Sequence, residues 1–254
     1  MESPMGSLSA PLFVTAVAQA TVPVVATESD WNEYLNTLVA AGTLHPLEAA
    51  LARGLPSARR ATFVAGRTAM RDALRALPEF SHLASDAIRR TARGAPDLPH
   101  MVTGSITHKR TRAMAAVAPR MAGLQHVGLD LERRPTPEEL SRPSVARKIL
   151  TAREYAAVEQ LHEDPLHQRE QVLVHFALKE AVYKAIDPFV ERYVRFTEVE
   201  LHVAEPGEAH VTLLLPELAN GETTVHARWH VEDEWIVAQA FSVQPHAVPT
   251  GAAE

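Results

Sequence analysis

Apolar and polar positions alternate along this chain with two different periods. From Ser57 to Leu77, "SARRATFVAGRTAMRDALRAL", apolar residues recur at helical spacing at Phe63, Met70, Ala73, Leu74 and Leu77, with Ser57 placed as N-cap. Gly94, Pro96 and Pro99 then break the pattern in "RGAPDLPHM". Three strand-like segments follow, "MVTGSITH", "AMAAVAP" and "QHVGLDLE". Thr151 and Glu154 have the spacing of a capping box ahead of Ala156 and Val158, which predicts another helix. Residues 174–186, "VHFALKEAVYKAI", predict a helix apolar almost all the way round, ending near Asp187 and Pro188 because proline stops a helix. The C-terminal third alternates with period two in "VELHVAE", "AHVTLLLP", "TTVHARWHV" and "EWIVAQAFSV", separated by "EPGE", "ANGE" and "EDE". The final "PHAVPTGAAE" reads as a frayed tail. The expected class is α+β, with helices and antiparallel strands in both halves and no sequence repeat.

Charges in the apolar helix raise a question. Phe176, Glu180, Tyr183 and Lys184 fall along one side, and Val174, Leu178, Val182 and Ala185 line the other. On a solvated face Glu180 and Lys184 would form an ion pair worth about 0.2–0.5 kcal/mol. Their aromatic and aliphatic neighbours point instead to burial, where a charge needs a partner or a ligand. In "HVGLDLERR", Asp130 and Glu132 alternate with Val127, Leu129 and Leu131, so both carboxylates share one strand face. Such a pair repels unless a cation sits between, and an all-oxygen ligand set suits Mg²⁺ or Mn²⁺ with substrate phosphates. The plainer reading is an exposed strand face answered by Arg133 and Arg134.

Two further segments could meet a phosphate. In "GSITHKR", Gly104 permits close backbone approach, and Thr107, His108, Lys109 and Arg110 supply donors and charge. Taken alone, this is a polar strand end or loop. Arg59, Arg60 and Arg67 in "RRATFVAGR" would, in isolation, be a solvated basic helix face.

Composition narrows the classes. The chain has 254 residues, 46% hydrophobic and 22% charged, enough for one large domain or two compact halves. A net charge of −6 argues against a general nucleic-acid binder. The absence of cysteine excludes disulfides and thiolate metal sites, and the reducing cytoplasm is the expected compartment. "PLFVTAVAQAT" has an A-x-A-like end, but no Lys or Arg precedes Arg53, so an early core strand is expected rather than a signal peptide. No apolar run approaches the ~20 residues that cross a bilayer.

Taken together and in order, "RRATFVAGR", "RGAPDLP", "GSITHKR", "VGLDLE", "LTAREY" and "FALKEAVYK" resemble the 4′-phosphopantetheinyl transferases. The resemblance is to the large group that activates nonribosomal peptide and polyketide synthases, and within it to the enterobactin-type branch. It spans roughly residues 45 to 200, and its specific part is the G-x-D-x-E and [WF]-x-x-K-E-[AS]-x-x-K pair. Phe176 stands where many members carry Trp, and the last fifty residues match no motif.

The resemblance implies two similar α/β subdomains related by a pseudo-twofold axis, 1–124 and 125–254, with coenzyme A between them. It implies that Asp130, Glu132 and Glu180 hold Mg²⁺ on the pyrophosphate, and that Lys179 and Lys184 contact the phosphates. Arg59, Arg67, Arg93, Thr107 and His108 match positions that grip the 3′-phosphate and adenine end. A carrier-protein serine would attack the β-phosphate with Glu180 or Glu154 as base, Lys184 stabilising the leaving phosphate of 3′,5′-ADP. The implied partners are apo acyl and peptidyl carrier proteins, with no nucleic acid or membrane, and the implied state is a monomer. Two alternatives are a coenzyme A-binding regulator without transfer activity and a Mg²⁺-dependent phosphodiesterase.

Overall fold

The computed structural model describes residues 15–121, 123–141, 143–161, 164–203, 207–219 and 221–244. It opens with strand β1 (Ala16–Thr21) and helices α1 (Glu28–Ala40), α2 (Pro46–Arg53) and α3 (Ser57–Arg75). A short ribbon of β2 (Arg89–Arg90) and β3 (Pro96–Asp97) leads into β4 (Val102–His108), β5 (Arg112–Pro119) and β6 (Leu124–Arg133). Helices α4 (Ala146–Ile149), α5 (Ala152–Leu161) and α6 (Pro165–Val190) follow. The chain then forms β7 (Val199–Val203), β8 (Gly207–Leu213), β9 (Thr224–Glu232) and β10 (Trp235–Val243).

Two antiparallel sheets result, ordered β1-β5-β4 and β6-β10-β9-β8-β7. This is the expected α+β class. Both sheets share one wiring: a first strand, a long helix, then a hairpin whose last strand sits between its partner and the first strand. In one sheet these are β1, α3 and β4–β5; in the other they are β6, α6 and β9–β10. The chain crosses between sheets from Pro119 to Leu124.

The local chemistry explains most elements. Thr27 caps α1, its Oγ1 accepting from Asp30 N at 3.2 Å while Asp30 Oδ2 accepts from Thr27 N at 3.2 Å. The expected box on α5 forms: Thr151 N donates to Glu154 Oε2 at 2.6 Å and Glu154 N to Thr151 Oγ1 at 3.3 Å. Two sequence expectations change. Pro56, not Ser57, is the N-cap of α3, because Ser57 Oγ is taken by Trp31 Nε1 at 3.2 Å. The last long helix also passes through Pro188 and ends at Glu191, whose φ is 53°. Pro188 leaves the carbonyl of Lys184 without its usual helical donor, and the helix continues only two residues beyond it.

Residues 22–56, where the sequence predicts no element, hold α1 and α2, whose Trp31, Leu35, Ala49 and Ala52 are buried on α3. The tail 245–254 and the beginning of "PLFVTAVAQAT" lie outside the described residues; its remainder is β1.

The two sheets meet through β5 and the seam between β4 and β6. Small residues make β5 apolar on both faces: Ala115 and Val117 pack toward α3, and Met114, Ala116 and Ala118 toward Leu129, Leu131 and Val237. Among the described residues, strand β6 pairs only with β10, so its other edge needs partners. Three hydroxyls of β4 supply them. Val127 N donates to Thr103 Oγ1 at 3.2 Å and Leu129 N to Ser105 Oγ at 3.0 Å, while Thr107 Oγ1 donates to Asp130 Oδ1 at 3.0 Å.

Candidate active site

A glycine sets the distance between the two elements that build the site. A Cβ on Gly128 of β6 would lie 1.8 Å from the carbonyl oxygen of Ala181, so α6 rests directly on the strand backbone. That approach carries Lys184 to the strand, where its Nζ donates to Leu129 O and Asp130 Oδ1, both at 2.8 Å. Val127, Leu129 and Leu131 pack into the seam between the sheets, and the alternate residues Asp130 and Glu132 turn toward α6. Both carboxylates are buried, at 5% and 9% exposure, so the exposed-strand-face reading does not apply. Glu180 is half-buried on α6.

Charge compensation here is uneven. Lys109 Nζ holds Glu132 Oε1 at 2.5 Å and lies 6.0 Å from the ring centre of Phe176. Asp130 Oδ1 has two donors, Lys184 and Thr107, whereas its buried Oδ2 has none among the described residues. The Glu180 carboxylate accepts no hydrogen bond among the described residues. Burial first, and then the nearby charge of Asp130, hold the Glu180 carboxyl above the ordinary carboxylate range. Glu132 is also pushed up, chiefly by burial and against the pull of Lys109.

These features fit a hard divalent cation: the donors are carboxylate oxygens, and one buried oxygen lacks a partner. Among the described residues, no three carboxylate or imidazole groups are drawn around a single point, since lysines occupy the inner oxygens.

The desolvated Glu180 yields a prediction. A carboxylate with a raised pKa opposes folding once ionised, so the native state loses stability as pH rises through that pKa. In buffer without divalent metal, Glu180→Gln should therefore melt at a higher temperature than wild type at pH 7. The difference should vanish below the ordinary glutamate value of 4.5. A lower melting temperature at pH 7 would contradict this.

Beside the carboxylates lies an open cavity lined by Phe63, Arg67, Arg90, Arg93, His108 and Lys184. Lys184 therefore links the cavity to the carboxylate site. Arg67 is 4% exposed, its guanidinium stacked 4.9 Å from Phe63, while Arg90 stands 5.4 Å from the same ring. His108 is held below the usual imidazole range by burial and by Lys184, Lys109 and Arg90, so at neutral pH it is an uncharged donor or acceptor.

Several residues implied by the resemblance stand elsewhere. Lys179 is 1% exposed, and all three ammonium hydrogens are used, toward Glu154 Oε2 at 2.6 Å, Ile149 O at 2.9 Å and Phe196 O at 2.9 Å. It has no donor left for a phosphate. Glu154 is 2% exposed and fully engaged by Lys179, Thr151 N and Leu201 N, so it is not placed to accept a serine proton. Together they tie α5, α6 and β7 into the core. Arg59 is exposed and does not line the cavity. Thr107 belongs to the carboxylate end, bonded to Asp130. Arg93 lines the cavity but is committed to Asp187, through Nε at 2.7 Å and Nη2 at 2.5 Å, and to Glu191 O at 3.0 Å.

Sequence reasoning did not single out Arg90, Asp187, Thr103 or Ser105. Only the glycine within "HVGLDLE" carried a usable signal, because glycine inside a strand marks a close backbone approach.

Comparison with known proteins separates the same two halves. Residues 47–118 match the 4′-phosphopantetheinyl transferase N-terminal domain, and residues 126–240 match the 4′-phosphopantetheinyl transferase superfamily. A curated relative, the 4′-phosphopantetheinyl transferase Npt of Nocardia iowensis, is 32% identical over 209 residues, covering 78% of this chain and 86% of Npt. Among solved structures, the holo-ACP-synthase of Plasmodium yoelii aligns at 22% identity with a TM-score of 0.38, over 46% of this chain and 93% of its own. The Bacillus anthracis holo-(acyl-carrier-protein) synthase in complex with CoA (3′,5′-ADP) aligns at 24% identity and 0.38, over 48% and 97%. With one family match on each sheet and a relative aligned along most of both, the chain belongs to the large-type 4′-phosphopantetheinyl transferases.

Proposed function

We propose that this protein transfers the 4′-phosphopantetheine arm of coenzyme A to a serine of apo acyl or peptidyl carrier proteins, releasing 3′,5′-ADP. One observation carries the reading: a buried carboxylate pair on β6 faces Glu180 and Lys184 on α6 and adjoins a cation-lined cavity. In this reading the halves 1–124 and 125–254 are pseudo-twofold subdomains, supported by their shared strand–helix–hairpin wiring. Coenzyme A lies in the cavity, its 3′-phosphate end toward Arg67 and Arg90 and its pyrophosphate toward Lys184. The enterobactin-type branch, a monomer and a cytoplasmic location belong to the same proposal.

Asp130, Glu132 and Glu180 would hold Mg²⁺, or Mn²⁺ in its place. A bound divalent ion supplies charge neutralisation on the pyrophosphate and helps orient in-line displacement. The chain's own residues do the rest. Serine Oγ forms a bond to the β-phosphorus as the bridging P–O bond breaks, and the electron pair leaves on 3′,5′-ADP. Glu180, on the helix face turned toward the β6 carboxylates, accepts the serine proton. Lys184, fixed by Leu129 O and Asp130, stands beside the oxygen that gains charge. Glu154 is not a base in this scheme.

Two measurements test the reading. Release of 3′,5′-ADP from coenzyme A should require the carrier protein; release without it would point to a phosphodiesterase, and coenzyme A binding without release to an inactive regulator. Arg67→Ala should lose much of wild type's preference for coenzyme A over its dephospho form. A charge-assisted hydrogen bond is worth about 1.5–3 kcal/mol, so the preference should fall at least tenfold. Equal preference in wild type and variant would remove Arg67 from the site.

A further inference from the structure

Besides Arg60, which pairs with Glu28, the first half buries a cluster of three charges separate from the carboxylate site: Glu48 of α2 with Arg67 and Arg71 of α3, at 3%, 4% and 1% exposure. One carboxylate and two guanidinium groups leave one formal positive charge in the interior, which is costly unless an anion compensates it. Distances show which arginine is left over. Glu48 Oε2 lies 2.7 Å from Arg71 Nη1, as an ion pair rather than an aligned hydrogen bond, whereas Glu48 Oε1 lies 3.8 Å from Arg67 Nε.

The rest of the network keeps this asymmetry. Glu48 is pinned by backbone donors, Ile88 N on Oε1 at 2.8 Å and His45 N on Oε2 at 3.2 Å, so it cannot swing toward Arg67 without losing them. Arg71 is anchored by Asp86 O at 2.7 Å. Arg67 has one long bond, to Arg89 O at 3.3 Å, and its buried Nε has no partner among the described residues. Burial outweighs the attraction of Glu48, and with repulsion from Arg90 and Arg71 it pulls the Arg67 guanidinium down to about 10. Arg67 lines the cavity; Glu48 and Arg71 do not.

We propose that Arg71 is a positioning residue for phosphate recognition: it neutralises Glu48 and so leaves the charge of Arg67 available to a phosphomonoester in the cavity. The inference rests on the reading that coenzyme A places its 3′-phosphate there. Without Arg71, the Arg67 guanidinium would turn to the pinned carboxylate, whose Oε1 lies 3.8 Å from its Nε, as its counter-ion.

The test compares KM and kcat for coenzyme A and dephospho-coenzyme A in four proteins. In Arg71→Met, the KM for coenzyme A should rise about tenfold or more, the loss of roughly one charge-assisted contact. The kcat and the KM for dephospho-coenzyme A should stay unchanged. Arg71→Lys keeps the charge balance and should keep the preference. The double variant Glu48→Gln with Arg71→Met removes both partners and should recover the preference, because Arg67 is again uncommitted. A merely structural Arg71 would lower the melting temperature and leave the preference intact, which overturns the proposal. Loss of preference in the double variant overturns it too, and that arm decides the matter if Arg71→Met alone does not fold. Absence of any preference in wild type would remove the phosphate reading itself rather than the role of Arg71.

Discussion

Asp130→Ala is expected to fold normally and to lose transfer activity by at least about 10²–10³, the loss typical when one preorganised electrostatic group is removed. The residue sits at the junction of every part of the site. Its Oδ1 receives Lys184 from α6 and Thr107 from β4, and its Oδ2 is the buried oxygen left for a cation. Removing it would free Lys184 to shift and would delete an oxygen proposed to hold the cation, while Lys184, 27% exposed at its side chain, can still reach solvent. Folding should survive for that reason. Turnover and circular dichroism on the same preparation check both halves of the expectation. Near-normal turnover at ordinary Mg²⁺ would remove Asp130 from the mechanism.

Gly128→Ala should be the most damaging small substitution in the second half. The added methyl would sit 1.8 Å from the Ala181 carbonyl oxygen and 3.0 Å from Ala185 N, and both are backbone atoms that no rotamer change can move. Overpacking usually costs about 1–3 kcal/mol, and a clash with helix backbone belongs at or above the upper end. Relief requires α6 to lift from β6, which withdraws Glu180 and Lys184 from Asp130. Stability by chemical denaturation and turnover should therefore fall together. An unchanged denaturation midpoint would show that the helix has room to shift.

Much of this arrangement was legible in the sequence where local chemistry decides. The strands β4 to β10 follow the strand-like segments, and the Thr151–Glu154 box forms as its spacing predicts. The split of α6 into a buried side and a half-buried side carrying Phe176, Glu180, Tyr183 and Lys184 was equally readable. Long-range partners were not. Lys179 precedes Glu180 by one residue, yet the helical turn of about 100° sends it to a different side, into Glu154 and two backbone carbonyls. A motif names both lysines alike; only the fold separates them. Arg93 gave no sign of Asp187, 94 residues away in sequence. The shared wiring of the halves was invisible for a related reason: topology can repeat while the residues that encode it do not.

The central claim is that the carboxylates of β6 and the Glu180–Lys184 pair of α6 form one catalytic unit. Residues acting as a unit lose activity non-additively. The most direct measurement is mass spectrometry of an apo carrier protein incubated with coenzyme A, Mg²⁺ and either wild type or the Glu180→Gln, Lys184→Gln double variant. Wild type should add one phosphopantetheine to the carrier serine, and the double variant should add it about as slowly as either single variant does. An unmodified carrier with active wild-type protein present, or full modification by the double variant, would contradict the account.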